Sequence, residues 1–345
     1  MSYSEPARTT PRRTRSTNLA ALVFVVAAAV LAVFGVVTAD SHSGADPGPG
    51  SALATIEWPA AGVSAADVAG GPLLLGPGAD RPVPIASVAK VMTAYVVLHD
   101  HPLSDDGPGP EIVVEPAEAA AYPAEARAGE SLMPVQAGEV LTERQALEAL
   151  LLPSANNIAR ILARWDAGSV GAFVERMNAV ARQLGMASTN YTDPSGLAAS
   201  TTSSAADQVR LGLAAMRQRA LAEIAGQSSA VVPVAGTVKN LNSLLGEDGI
   251  VGLKTGSTSA AGGCVLLAAR SDAGHRRSLI VVAVFAQPGS RDSIVSAALH
   301  AGQQLLIDLE RKPASADRRP HRSRALRTAS ASPSRPRLAA PGPRR

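Results

Sequence analysis

The sequence predicts an α+β domain in which an antiparallel sheet is flanked by helices. Three observations carry this. Strand-like apolar runs stand at both ends of the central part of the chain, and helical periodicity fills the region between them. The apolar fraction of 46% is enough for one large core. Strands bracketing a helical middle come together as a sheet layered with helices, with much of the helical stretch forming a subdomain of its own. Aromatic residues make up only 3% of the chain, so Ala, Val, Leu and Ile must carry the packing.

Taken in chain order, ALATIEW (52–58) and PLLLG (72–76) read as strands, being short apolar runs bounded by Gly, Pro or Ser. Helical patterns follow over 87–98, 142–151, 155–167, 170–184 and 204–217. Strand signals return in IVGLKTG (250–256), GGCVLLAAR (262–270) and RRSLIVVAVF (276–285). A last helix over 291–309 carries apolar Ile294, Ala298, Leu305 and Leu309. No internal repeat interrupts this order.

The domain is expected to span 52–310, with distinct segments on either side. Residues 18–39 hold no charged side chain, and a helix of that length would span about 33 Å, enough for a bilayer core. Arg8, Arg12, Arg13 and Arg15 precede it, while Asp40 and Asp46 follow. The positive-inside rule then leaves residues 1–17 in the cytoplasm and exports the rest, giving a single-pass protein of the cell membrane. The run is long for a signal peptide, which favours an uncleaved anchor. The alternative is a signal peptide cut after Val37-Thr38-Ala39. Residues 40–51 are a Gly/Pro/Ser linker, and 311–345 a disordered basic tail without apolar periodicity.

The net charge of +3 conceals an uneven distribution. Residues 311–345 carry eleven Lys/Arg and one acid, whereas 21–310 hold 27 acidic residues against 17 basic ones. The basic character belongs to the tail, and no aromatic residues interleave it as a nucleic-acid stacking platform would require. Nucleic acid is therefore not an expected partner. Cys264 is the only cysteine, so neither an intrachain disulfide nor a Cys-based zinc site can form. Its place in a strand-like run marks it as a buried, inert thiol. The His99-Asp100-His101 cluster with Asp105 and Asp106 reads as a polar loop rather than a metal site.

Three polar constellations can carry chemistry. In PIASVAKVMTAY, Ser87 and Lys90 lie one helical turn apart, so both side chains share a face. A serine in the first turn sits beside free backbone N–H groups that can bind an oxyanion, and a neutral lysine one turn on can take its proton. In LLLPSANNIARILA, Ser154 and Asn156 follow Pro153 at a helix start. A capping role for Ser154 would suffice by itself. The third is Lys254-Thr255-Gly256, with Ser257 after it, at the end of an apolar strand where a substrate backbone can lie alongside. Singly, each has an ordinary structural explanation.

Their order, S-x-x-K, S-x-N and K-T-G, separated by 67 and 100 residues, resembles the penicillin-recognising serine acyl-enzymes. The stretches AGESLMPVQAGEVLTERQALEALLLPSANNIA, LGMASTNYTDPSGL, VKNLNSLL and GLKTGSTSAAGGC extend the likeness to the D-alanyl-D-alanine carboxypeptidase family. The resemblance implies a β-lactamase/transpeptidase-like fold and no metal or cofactor. It implies that Ser87 is the nucleophile, Lys90 the general base, Ser154 a proton relay and Asn156 a holder of the substrate amide. Lys254 and Thr255 would hold the terminal carboxylate of a stem peptide ending in D-Ala-D-Ala, with Gly256 and Ser257 completing the substrate-binding strand. The N–H groups of Ser87 and Ser257 would form the oxyanion hole, each such donor being worth about 2.7–4 kcal/mol.

Lys90 must lose its proton to serve, and its ordinary pKa is about 10.4. A second ammonium from Lys254 roughly 4 Å away would disfavour the charge by about 4 kcal/mol at an effective dielectric near 20. Burial acts in the same sense. A class A β-lactamase would share all three motifs and add a deacylating Glu. The corresponding stretch, MASTNYTDPSG (186–196), offers only Asp193, and Glu175 reads as a surface charge. β-Lactams are thus expected as covalent inhibitors. An endopeptidase cutting D-alanyl cross-links fits the same motifs. Asn157 and Ser257 depart from common family patterns, which bears on substrate preference more than on the reaction.

Overall fold

The computed structural model describes residues 56–311 apart from 69–70, 105–106, 272–277 and 291–292. The apolar segment 18–39, the linker 40–51 and nearly all of the basic tail lie outside those residues. Among the described residues no helix is long and apolar enough to cross a membrane.

The first strands are β1 (Val63–Val68) and β2 (Leu74–Leu75). Residues 56–58, the described end of the expected 52–58 strand, are not in a strand. The sequence Val-Ser-Ala-Ala-Asp-Val takes that place. It lacks the apolar alternation of a one-sided strand because it is interior to the sheet, with Ala65 and Ala66 both at 0% exposure. The short strand β3 (Val83–Pro84) leads into a tight 3-10 turn, Ala86–Ala89, and then α1 (Lys90–Asp100). The expected helix over 87–98 is therefore a 3-10 turn joined to an α-helix.

A helical middle follows. The hairpin strands β4 (Glu111–Val113) and β5 (Val140–Thr142) flank α2 (Pro116–Arg127). Next come α3 (Glu143–Leu151), α4 (Asn156–Ala167) and α5 (Val170–Gln183). Thr142 caps α3 reciprocally: its hydroxyl accepts from the Gln145 amide at 3.2 Å, and its own amide donates to the Gln145 side chain at 3.0 Å. Beyond lie β6 (Thr202–Ser203), paired with β3, then α6 (Ala205–Ala215) and α7 (Arg219–Ala225). The hairpin β7 (Ser229–Val232) and β8 (Gly236–Lys239) precedes the long strands β9 (Ile250–Thr258), β10 (Gly262–Ser271) and β11 (Ser278–Gln287). The chain then forms α8 (Ile294–Arg311).

The sheet is five-stranded and antiparallel, in the order β2-β1-β11-β10-β9. Both faces are covered, which explains the near-continuous apolar runs of β10 and β11. Leu266, Ala268, Val281 and Ala283 face the larger core shared with the helices, whereas Val265, Leu267, Val282 and Val284 face α8. Full burial of such side chains contributes about 1.5–3 kcal/mol each for the larger ones. On the helical side α6 comes close: a Cβ at Gly212 would stand 2.7 Å from Val281 Cγ1.

Two consequences place the site. Strand β9 is an edge strand, and its Lys254–Ser257 half lies beside the turn Ala86–Ala89. Helix α1 runs through the molecule against α3, α4, α5 and α6, so its first residue, Lys90, begins inside the core.

Candidate active site

Ser87, Lys90, Asn156 and Gly256 come together where the turn before α1, the start of α4 and the edge strand β9 converge. Ser87 is partly buried in the 3-10 turn, immediately after Ala86, whose φ is +46°. A left-handed residue without glycine's freedom is disfavoured by about 1–2 kcal/mol. The neighbouring loop holds it there, since a Cβ on Gly196 would overlap the Ala86 carbonyl oxygen.

Lys90 is 0% exposed, and its Nζ makes three contacts: Ser87 Oγ at 2.8 Å, Asn156 Oδ1 at 2.7 Å and the Ser195 carbonyl at 2.9 Å. Hydrogen counting gives these contacts a chemical meaning. A neutral amine has two N–H donors and one lone pair. Two of its neighbours, Asn156 Oδ1 and Ser195 O, carry no hydrogen and can only accept. They take both N–H bonds, and the lone pair is left to the Ser87 hydroxyl. A neutral Lys90 so placed can act as a base toward that single proton.

Burial drives the Lys90 pKa well below its ordinary value, and the charges of Lys254 and Arg160 act in the same sense. Asp193 and Glu130 oppose them. Lys254 and burial were both expected to lower Lys90, and loss of water is the larger cause. Lys254 is itself buried, which brings its pKa down to about 7. Its Nζ donates to the Thr255 carbonyl at 3.0 Å.

Gly256 pairs with Cys264 across β9 and β10 and lies against the turn that holds Ser87. A Cβ there would stand 2.8 Å from Ser87 N and 3.1 Å from Val88 N, so the strand can approach these amides only with glycine. Ser257, next along β9, is exposed, and Thr255 is buried.

Ser154 is not the cap of α4. The cap position is Ala155, without a side-chain hydrogen bond, while Ser154 adopts φ +67° with its Oγ buried and unpartnered. Capping therefore fails as its explanation. A buried hydroxyl without a partner is destabilising by about 1–3 kcal/mol, which marks the position as one shaped for something other than stability. Asn157 does have a structural role: its amide accepts from the Met133 N–H and donates to the Met133 carbonyl. A carboxylate could not make the second bond.

Asp193 is occupied by its own loop. Its Oδ2 accepts from the Ser195 amide, the Ser195 hydroxyl and the Leu197 amide, and its Oδ1 accepts from Thr201. This turn presents the Ser195 carbonyl to Lys90. The Asp-Pro-Ser-Gly turn signal was visible in the sequence; the contact with Lys90 was not. The same holds for Glu130, which accepts from Asn156 Nδ2 and from Arg160 and has no local sequence signature.

Elsewhere, Cys264 is buried, and burial pushes its thiol up to about 12, as suits an inert side chain. His101 pairs with Asp166 at 3.1 Å, and Arg176 bridges Asp100 and Asp166, tying α1 to α4 and α5. Among the described residues no group of His, Cys, Asp or Glu could hold a metal ion. Glu175 is exposed, as expected of a surface charge.

Known proteins resemble this chain in sequence and in fold. A family model described as D-alanyl-D-alanine carboxypeptidase matches residues 54–287. A D-alanyl-D-alanine carboxypeptidase of Mycobacterium tuberculosis is 34% identical over 224 residues, covering 63% of this chain and 72% of that protein. A D-alanyl-D-alanine endopeptidase of Pseudomonas aeruginosa is 32% identical over 204 residues, 57% of this chain and 63% of its own length. The crystal structure of a D-alanyl-D-alanine carboxypeptidase from Mycobacterium tuberculosis H37Rv superposes with a TM-score of 0.64 at 28% identity, covering 76% of this chain and 96% of that one.

Proposed function

The chain belongs to the D-alanyl-D-alanine carboxypeptidase family, and from that premise we propose that it removes the terminal D-Ala of peptidoglycan stem peptides through an acyl-enzyme on Ser87. The observation that carries this is the wholly buried Lys90 with its Nζ 2.8 Å from Ser87 Oγ.

The steps follow from the site. Lys90 takes the Ser87 proton as Oγ bonds to the carbonyl carbon of the penultimate D-Ala. The N–H groups of Ser87 and Ser257 receive the oxyanion, and the close approach at Gly256 supports that pairing. Collapse breaks the C–N bond, and the leaving amine takes a proton by way of the unpartnered Ser154 hydroxyl. Water then hydrolyses the ester and restores Ser87. Asn156 holds the substrate amide, while Lys254 and Thr255 face the terminal carboxylate. β-Lactams enter the same path as covalent inhibitors. A second reading, cleavage of D-alanyl cross-links, is favoured by the endopeptidase name of the Pseudomonas relative.

In this reading catalysis occurs outside the cytoplasmic membrane with 18–39 as the anchor; the support is the uncharged run and the arginines before it. The test follows labelling by a fluorescent penicillin in wild type and Ser87→Ala, with D-Ala release from a pentapeptide measured in parallel. Labelling lost in the variant together with D-Ala release by wild type is expected. Labelling without release would favour the endopeptidase, and an unlabelled wild type would overturn both.

A further inference from the structure

Asn156 sits between two partners of opposite kind. Its Oδ1 receives the Lys90 amine at 2.7 Å, and its Nδ2 donates to Glu130 Oε2 at 3.2 Å. The same carboxylate oxygen accepts from both terminal nitrogens of Arg160, at 3.1 and 3.2 Å, and Arg160 is held from its other side by Glu125 at 2.7 Å. The Glu130 side chain is 13% exposed, so this set is largely shielded from water.

The consequence lies in which way the amide of Asn156 faces. Its oxygen and nitrogen are nearly alike in size, so shape alone does not choose between the two orientations. A protonated Lys90 would choose, because an ammonium can only donate. A neutral Lys90 does not, because its lone pair can accept from a flipped Nδ2. That flipped state would occupy the very lone pair that must take the Ser87 proton. A carboxylate on the far side removes the ambiguity: it can only accept, so Nδ2 must face it and Oδ1 must face Lys90.

We propose that Glu130, clamped by Arg160, which Glu125 holds in turn, is a positioning residue that fixes the amide of Asn156 and so keeps the Lys90 lone pair free for Ser87. The role rests on the acyl-enzyme reading of Ser87 and adds to it a residue outside the three motifs. Nδ2 has a second hydrogen that Glu130 does not take, and this remains for substrate.

The charges facing Lys90 are Lys254 on β9, Asp193 in the loop before β6, Arg160 on α4 and Glu130 itself, of which Glu130 favours the protonated amine. Its removal therefore displaces the acid limb of acylation to lower pH. The experiment compares Glu130→Ala and Glu130→Gln with wild type. Acylation by a fluorescent penicillin is followed across pH, alongside the 15N–1H signals of the Asn156 side chain in the free enzyme. Glu130→Ala is expected to acylate about ten- to hundredfold more slowly, the range of one charge-assisted hydrogen bond. Its Asn156 signals should shift. The Gln carbonyl can accept from Nδ2, so Glu130→Gln should recover most of the rate while keeping the displaced acid limb. A merely structural role would lower thermal stability in both variants and leave Glu130→Gln as slow as Glu130→Ala. Such a result would overturn the proposal, as would a Glu130→Ala enzyme acylating at the wild-type rate. The side-chain signals need no turnover, so unshifted Asn156 resonances defeat the positioning role even if the acyl-enzyme reading itself is wrong.

Discussion

Lys90 Nζ meets Ser87 Oγ at 2.8 Å from a position that solvent does not reach. Of the charges acting on it Lys254 has the largest influence, and it lowers the Lys90 pKa. Lys254→Ala removes that influence, so the Lys90 pKa rises and less of it is neutral at a given pH. The acid limb of acylation must then move to higher pH. At neutral pH the variant should acylate more slowly even with substrates lacking a terminal carboxylate. Acylation rates across pH with a carboxylate-free ester are the measurement, and superimposable profiles would remove Lys254 from this role.

Ser154 separates stability from activity. Its hydroxyl is buried without a partner, at a φ of +67° that alanine meets with similar strain. Ser154→Ala should leave the melting temperature unchanged or raise it, since a desolvated polar group disappears. Turnover should fall by about 10²-fold or more, the usual contribution of a positioned proton carrier. Calorimetry beside D-Ala release makes the test, and a variant both less stable and fully active would contradict it.

What the sequence revealed and what it withheld divide along physical lines. Ser87, Lys90, Ser154, Asn156 and Lys254–Ser257 stand in short local motifs, each fixed by one turn or one strand, so their order along the chain and the family resemblance it carries single them out. Glu130 meets Asn156 across 26 positions and Arg160 across 30, a juxtaposition made only by packing a loop after α2 on α4. The long strands β9 to β11 were legible because both faces are buried and the runs are continuously apolar. Strand β1 was not, because its interior positions are filled by alanine and serine. Helix α2 buries no residue and shows no apolar face; the signal that marks it is the reciprocal cap of Glu115 and Glu118 around Pro116. Hairpin β7–β8 was overlooked although Pro233 and Gly236 punctuate its valine run.

Asp193 bears on the fate of a penicillin adduct. Every contact of its carboxylate is to its own loop, from Ser195 to Thr201, so no acid in that stretch is available to activate water. The acyl-penicillin on Ser87 should therefore outlast many turnovers of a D-alanyl peptide. Fluorescent penicillin chased with unlabelled drug, then resolved on a denaturing gel over hours, measures its lifetime. Loss of the label on the timescale of peptide turnover would point instead to a β-lactamase.

Glu143 predicts how stability depends on pH. It opens α3 with both carboxyl oxygens buried and unpartnered. Burial raises its pKa from an ordinary 4.5 to about 7, with Asp166 adding to the rise and Arg144 opposing it. The folded state thus binds more protons than the unfolded chain between those values. The contribution of Glu143 is intact below pH 4.5 and is lost as pH rises through about 7. Glu143→Gln cannot ionise, so its stability relative to wild type should climb across that window. The gain should level off above it at no more than about 3 kcal/mol. Urea unfolding of both proteins at pH 5 and pH 8 supplies the difference. A constant offset at the two pH values would show that Glu143 folds already ionised.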